Sequence, residues 1–141
     1  TLVFSASSSG GTLAGLIAGL ALLGRSDVHL RGVSADAPAT ELDDVCRSLA
    51  GEATELLGAK IDPGTIPFAS IDDQVGDGYG LPTPASREAT ELFGRHAGVV
   101  LDPTYTSKAA AALIAHMRSH GVRDHQRIVF LHTGGAPGLL A

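Results

Sequence analysis

The chain has 141 residues, 44% of them hydrophobic and 18% charged, with 18 Gly and 7 Pro. That length suits one domain around one core, and the composition excludes a disordered tail, a collagen-like repeat and a highly charged scaffold. A net charge of −5, from 10 basic and 15 acidic residues, argues against nucleic acid or an anionic membrane as the main partner, because such surfaces require runs of Lys and Arg.

The elements follow in chain order. Leu2 to Phe4 predicts a strand that ends in Ser5-Ala6-Ser7-Ser8-Ser9-Gly10-Gly11, and an uncharged helix follows over Thr12 to Leu23. Its apolar part, from Leu13, is too short to span a bilayer and has no basic segment before it, so it reads as a buried helix and not as an anchor or signal peptide. Val28 to Val33 predicts a second strand. The helix after it, Glu41 to Leu57, carries apolar residues near helical spacing and closes at Gly58. Within it, Cys46 is the single cysteine, which removes any disulfide framework or cysteine-rich zinc site inside the chain and fits a reducing cytoplasm. A short strand around Ile66 to Ala69 leads into a loop, Asp72 to Pro84, rich in Asp, Gly and Pro. Then come a helix over Ser86 to His96, a strand at Val99 to Leu101, a helix over Ser107 to His120 and a strand at Ile128 to Leu131. Short aliphatic strands alternating with helices predict an α/β unit over residues 1–141, an open parallel sheet with helices on both faces.

Such sheets bind ligands beyond the carboxyl ends of their strands, where the strand order reverses. Ser7 to Thr12, Asp102 to Thr106 and His132 to Gly135 all fall at predicted strand ends. The first is the best anion site: glycines let the backbone approach, amides converge and hydroxyls add donors at a helix N-terminus. It lacks a Walker lysine and does not match G-x-G-x-x-G, so neither a nucleoside triphosphate nor a dinucleotide is favoured. Tyr105 and Thr106 open a helix where a hydroxyl could meet a polar ligand atom, against the alternative of a buried phenol that is merely satisfied. His132 and Thr133 stand against a tight turn with a core histidine. His116 and His120 are four apart on one helix but lack a third ligand, so no metal is expected.

Four stretches in this order resemble one family: Ser8-Ser9-Gly10-Gly11-Thr12-Leu13-Ala14-Gly15, Gly78-Tyr79-Gly80-Leu81-Pro82, Leu101-Asp102-Pro103-Thr104-Tyr105-Thr106-Ser107-Lys108-Ala109, and Leu131-His132-Thr133-Gly134-Gly135-Ala136-Pro137-Gly138-Leu139. Together they look like the C-terminal part of the D-cysteine desulfhydrase and 1-aminocyclopropane-1-carboxylate deaminase family, pyridoxal-phosphate enzymes of the tryptophan-synthase-β fold. The resemblance implies the larger-domain part of a fold-type II enzyme, with pyridoxal 5'-phosphate as cofactor. It implies that Ser8, Ser9, Gly10, Gly11 and Thr12 cradle the cofactor phosphate, that Thr106, Thr133 and Gly134 lie at the ring edge, and that Tyr79 and Tyr105 are the catalytic phenols on the substrate side. The deaminase branch carries Glu and Leu where this chain has Thr106 and Thr133. A carboxylate keeps the ring nitrogen protonated whereas a hydroxyl only hydrogen-bonds it, so two threonines resemble the desulfhydrase branch.

The resemblance also implies a Schiff-base lysine in an N-terminal part that this chain lacks, because Lys60 and Lys108, the only lysines, do not match it. The expectation is therefore a partial enzyme, whose partners are a small amino-acid substrate and either copies of the full enzyme or a second chain carrying the lysine. The expected activity is a cytoplasmic lyase of D-cysteine desulfhydrase type. Aminocyclopropane-carboxylate deaminase, cysteate lyase and a non-catalytic phosphate-ligand module are the alternatives.

Overall fold

In the computed structural model, which describes residues 1–135, β1 (Leu2–Ser7) lies at the centre of a four-stranded parallel sheet. It pairs on one side with β2 (His29–Ser34), which in turn pairs with β3 (Phe68–Ile71), and on the other side with β4 (Ile128–Leu131), giving the order β3-β2-β1-β4. The order reverses between β1 and β4. A crevice at the carboxyl ends of those two strands is the geometric consequence, because the chain steps from β1 to β2 and β3 on one side and returns to place β4 on the other.

The alternation of side chains along β1 decides which helices cover which face. Val3 points with Leu30 of β2 into a core formed by α1 (Gly11–Leu22) and α2 (Ala39–Leu56), where Leu13, Ile17, Leu42 and Cys46 are fully buried. Leu2, Phe4 and Ala6 point the other way, with Val33, onto Ala109, Ala112 and Leu113 of α4 (Thr106–His120). Behind α4 lies α3 (Pro84–Ala97), packed through Ala89 against Ala110 and Ala111. Each large side chain buried this way stabilises the fold by roughly 1.5–3 kcal/mol. Gly32 in β2 is a requirement of that packing, since an added Cβ would run into the Leu13 side chain, and Leu13 seats α1 on the sheet.

The helices start one to two residues earlier than their sequence pattern predicts. Pro84 occupies the first turn of α3, where its missing N–H costs nothing, behind a reciprocal cap in which the Thr83 hydroxyl accepts from the Ser86 N–H and the Ser86 hydroxyl accepts from the Thr83 N–H. β3 starts later than expected because Pro63–Thr65 forms a 3-10 turn capped by the Asp62 carboxylate. The α1 helix is buried along one face only: Leu13, Ala14, Ile17, Ala18 and Ala21 are covered while Gly15 and Leu22 are exposed, because α1 is an outer layer with the sheet on one side.

The expected strand at Val99 to Leu101 does not form. Its backbone groups find other partners: the Val99 N–H donates to Phe93 O at the end of α3, Val100 O takes the His132 ring Nε2 at 2.9 Å, and the Asp102 N–H donates to Thr106 Oγ1. With those groups turned to α3, His132 and Thr106, the segment joins no ladder of the sheet. The segment still crosses the core, with Leu101 fully buried between α3 and α4. Among the described residues no helix is long and apolar enough to cross a membrane.

Candidate active site

The loop after β1, the start of α4 and the loop after β4 converge on one cavity of about 370 Å³ lined by Ala6, Ser7 to Thr12, Tyr105 and Thr133 to Gly135. Three segments far apart in sequence are thus brought together at the switch point, as expected from the chain order.

Gly10 makes the first wall. It caps α1 in the left-handed region, with φ +80°, and an added Cβ would lie 3.1 Å from both Cys46 Sγ and Val45 Cγ1. Only glycine meets both conditions without strain. α1 has no side-chain cap and no acidic residue in its first turn, so its leading amides point into the crevice uncompensated. Gly11 has open space where a side chain would stand, and Ser9 and Thr12 are exposed at the rim. The Ser8 hydroxyl is spent on Asp36 Oδ1, at 3.0 Å. Beneath the loop the Cys46 thiol donates to Gly10 O, and burial together with nearby Asp43 pushes its pKa up, which keeps it a neutral packing group.

The start of α4 is built differently. The Asp102 carboxylate accepts the N–H groups of Thr104 and Tyr105 at 2.9 Å, the Thr106 N–H at 2.8 Å and the Thr106 hydroxyl at 2.7 Å. Burial pushes the Asp102 carboxyl upward, but the Thr106 hydroxyl and the three N–H donors outweigh it and hold the group below its ordinary value. Gly135 lies directly against this carboxylate, where an added Cβ would clash with it. Thr106, expected at the ring edge, is buried behind the lining, with its hydroxyl engaged twice by Asp102. Thr133 and Gly134 do line the crevice.

The Tyr105 ring forms the wall between these two helix starts, and its hydroxyl meets that of Tyr79, the rings meeting edge to face with centroids 5.7 Å apart. The bond to Tyr79, burial and the facing carboxylates of Asp102 and Asp36 push the Tyr105 phenol up to about 12. Tyr79 itself lies just outside the cavity lining. His132 shapes the turn after β4, its Nε2 bonding Val100 O while Nδ1 takes the Gly134 N–H at 3.4 Å, so it serves the turn and leaves the crevice to its neighbours. The motif residues from Ala136 onward lie outside the described residues.

Neither lysine reaches the crevice. Lys60 is exposed beyond α2. Lys108 is fully buried and donates to Ala35 O, Val75 O and Gly78 O at 3.2, 2.8 and 2.9 Å. The roles of Asp102 and Lys108 escape the sequence reading. An Asp-Pro pair before a helix is an available signal for the first, since a carboxylate there satisfies leading amides.

A sequence profile described as pyridoxal-phosphate dependent enzyme matches residues 1–134. D-cysteine desulfhydrase of Salmonella paratyphi C is 40% identical over 139 residues, which takes in 99% of this chain and 41% of that protein. D-cysteine desulfhydrase of Salmonella typhi is 39% identical over 146 residues with the same coverage. A crystal structure of an ACC deaminase homologue superposes with a TM-score of 0.81 at 31% identity, covering 97% of this chain and 40% of that one. The chain spans about two-fifths of the length of these relatives.

Proposed function

The chain belongs to the pyridoxal-phosphate dependent enzymes, and from that premise we propose that it forms the phosphate and phenol side of a lyase site of D-cysteine desulfhydrase type, converting a D-amino acid to pyruvate, ammonia and sulfide. The observation that carries this reading is the pairing, on one crevice, of an uncapped helix N-terminus with the Tyr105 phenol, whose hydroxyl meets that of Tyr79 just outside the lining.

The residues fit the cofactor. A phosphate dianion needs converging neutral donors and no competing carboxylate, and the turn at Ser9 to Thr12 offers open amides, a left-handed glycine and no acidic residue in the first helical turn. The helix field adds about 0.3–2 kcal/mol to anion binding there. Thr133 stands exposed in the lining, where a hydroxyl can meet a ring heteroatom without fixing a charge on it. With Thr106 turned to Asp102, the leaning toward the desulfhydrase branch rests on Thr133. When bound, the cofactor supplies an electron sink for carbanion chemistry at the substrate α-carbon.

The phenols supply the proton side. The bond to Tyr79 and burial push the Tyr105 phenol up to about 12, so it stays neutral through the neutral range and can offer its hydroxyl as a hydrogen-bonding group toward a departing sulfur, while Tyr79 Oη fixes its direction. The Schiff-base lysine comes from outside these residues, because Lys60 is exposed elsewhere and Lys108 is committed to three carbonyls. Turnover thus belongs to the native-length polypeptide or to an assembly that contributes such a lysine.

The test is a substrate comparison with that loaded form. Sulfide and pyruvate from D-cysteine are expected, and Tyr105→Phe is expected to lower kcat roughly 100-fold or more with cofactor affinity nearly unchanged. Faster release of ammonia from aminocyclopropane carboxylate would assign the deaminase reaction. Cofactor binding without turnover of any amino acid would leave a binding module.

A further inference from the structure

Lys108 is the one buried ammonium among the described residues, and its three partners are all main-chain carbonyls. An ammonium has three protons, and here each one has an acceptor. Two of those acceptors, Val75 O and Gly78 O, belong to the loop between β3 and α3, and the third, Ala35 O, opens the turn after β2. Tyr79 follows Gly78 directly, and Lys108 sits one helical turn beyond Tyr105 on α4. Both phenols are therefore referred to the same stretch of helix, Tyr105 through its own backbone and Tyr79 through the Lys108 ammonium.

Apart from the contact of Tyr79 with Tyr105, the other ties of this loop lie toward its ends: Asp72 accepts the Ala39 N–H, and Thr83 caps α3. Its internal bonds, Val75 N–H to Asp72 O and Leu81 N–H to Gly78 O, are local. Beside the phenol contact itself, the carbonyl clamp is the tie that joins the loop's centre to α4. We propose that Lys108 is a positioning residue that holds the Tyr79 hydroxyl on the Tyr105 hydroxyl by gripping the carbonyl immediately before Tyr79. The ammonium reaches no reacting atom and acts only through this placement. Asp36, which also faces Tyr105, lies close enough to offset part of the cost of burying the charge. The placement is a property of the chain's own geometry, while its consequence for proton donation rests on the lyase reading above.

The chain has two tyrosines and no tryptophan, so phenolate absorbance reports on this pair alone. Alkaline difference titration of the cofactor-free chain is expected to show one phenol ionising well after the other, and Tyr79→Phe is expected to return Tyr105 toward an ordinary value near 10. Lys108→Met and Lys108→Gln, checked for retained helix content and cooperative unfolding, are expected to give two phenols that ionise together and a loop 72–83 cleaved at least tenfold faster by protease. In the loaded native-length form the same variants are expected to lower kcat about tenfold with KM within twofold. Phenol titration like the parent's in either folded variant would overturn the proposal. Loss of the fold in both would overturn it as well, making Lys108 a core residue. Uncoupled phenols with full turnover would leave the tether standing and instead refute the role given to the phenols.

Discussion

The N-termini of α1 and α4 open on the same crevice, yet α1 leaves its leading amides free while α4 commits its own to the Asp102 carboxylate. Two helix ends of equal intrinsic polarity therefore present opposite faces to a ligand. At α1 the cap is Gly10, which contributes no acceptor and admits the sharp left-handed turn. At α4 a negative charge lies where an anion would otherwise bind. On the proposed reading, a phosphate entering the crevice would be drawn toward α1 and repelled from the Asp102 side, which would orient it before any contact with the phenols. The difference teaches that a helix N-terminus is open to an anion only where the sequence withholds a cap.

The largest effect is expected from breaking the α4 side. Asp102→Asn leaves one acceptor oxygen for four donors and turns an amide N–H₂ toward them, which should cost about 3 kcal/mol in chemical unfolding. The pH dependence has a definite sign. Because the folded chain holds this carboxyl below its usual range, its contribution is complete above pH about 4 and is lost as the pH falls through the lower folded value, so the gap between parent and Asp102→Asn should narrow only in that acid window.

A smaller loss of stability and a larger loss of ligand are expected at α1. Gly10→Ala forces a Cβ into the left-handed region and against Cys46 and Val45, a cost of roughly 1–3 kcal/mol by denaturant titration. Calorimetry with pyridoxal phosphate should show affinity falling more in this variant than in Asp102→Asn. The smallest effect belongs to Thr133→Val, an exposed position where stability should change by no more than about 0.5 kcal/mol. Phosphate affinity should hold while turnover of the native-length enzyme slows, and equal losses of both would make Thr133 a packing residue.

The polarised crevice was partly legible in the sequence. Strand alternation with helices and the Ser-Gly-Gly turn were enough for the parallel sheet and for the glycine turn that opens α1, because periodicity and glycine chemistry are local signals. Val99 to Leu101 was misread as a strand since an apolar run looks the same whether or not its backbone finds a ladder, and here the Val99 N–H goes to Phe93 O and Val100 O to the His132 ring. Thr106 was placed at the ring edge because the motif gives its neighbourhood but not its rotation, and one residue's turn on α4 points Tyr105 into the crevice and Thr106 into the Asp102 network. Lys108 was invisible for a plainer reason: its three partners are carbonyls contributed by backbone some 30 and 73 positions away.

The central claim, that the crevice takes a phosphate at α1 and excludes it from α4, is tested most directly by amide-resolved NMR of the chain titrated with inorganic phosphate and then with pyridoxal phosphate. The expected result is saturable shifts at Ser9 to Leu13, with Thr104 to Ser107 nearly unmoved by inorganic phosphate and the same α1 amides responding to both ligands. Saturable shifts centred on Thr104 to Ser107, or on Arg31 and Arg123 at the opposite end of the sheet, would contradict it.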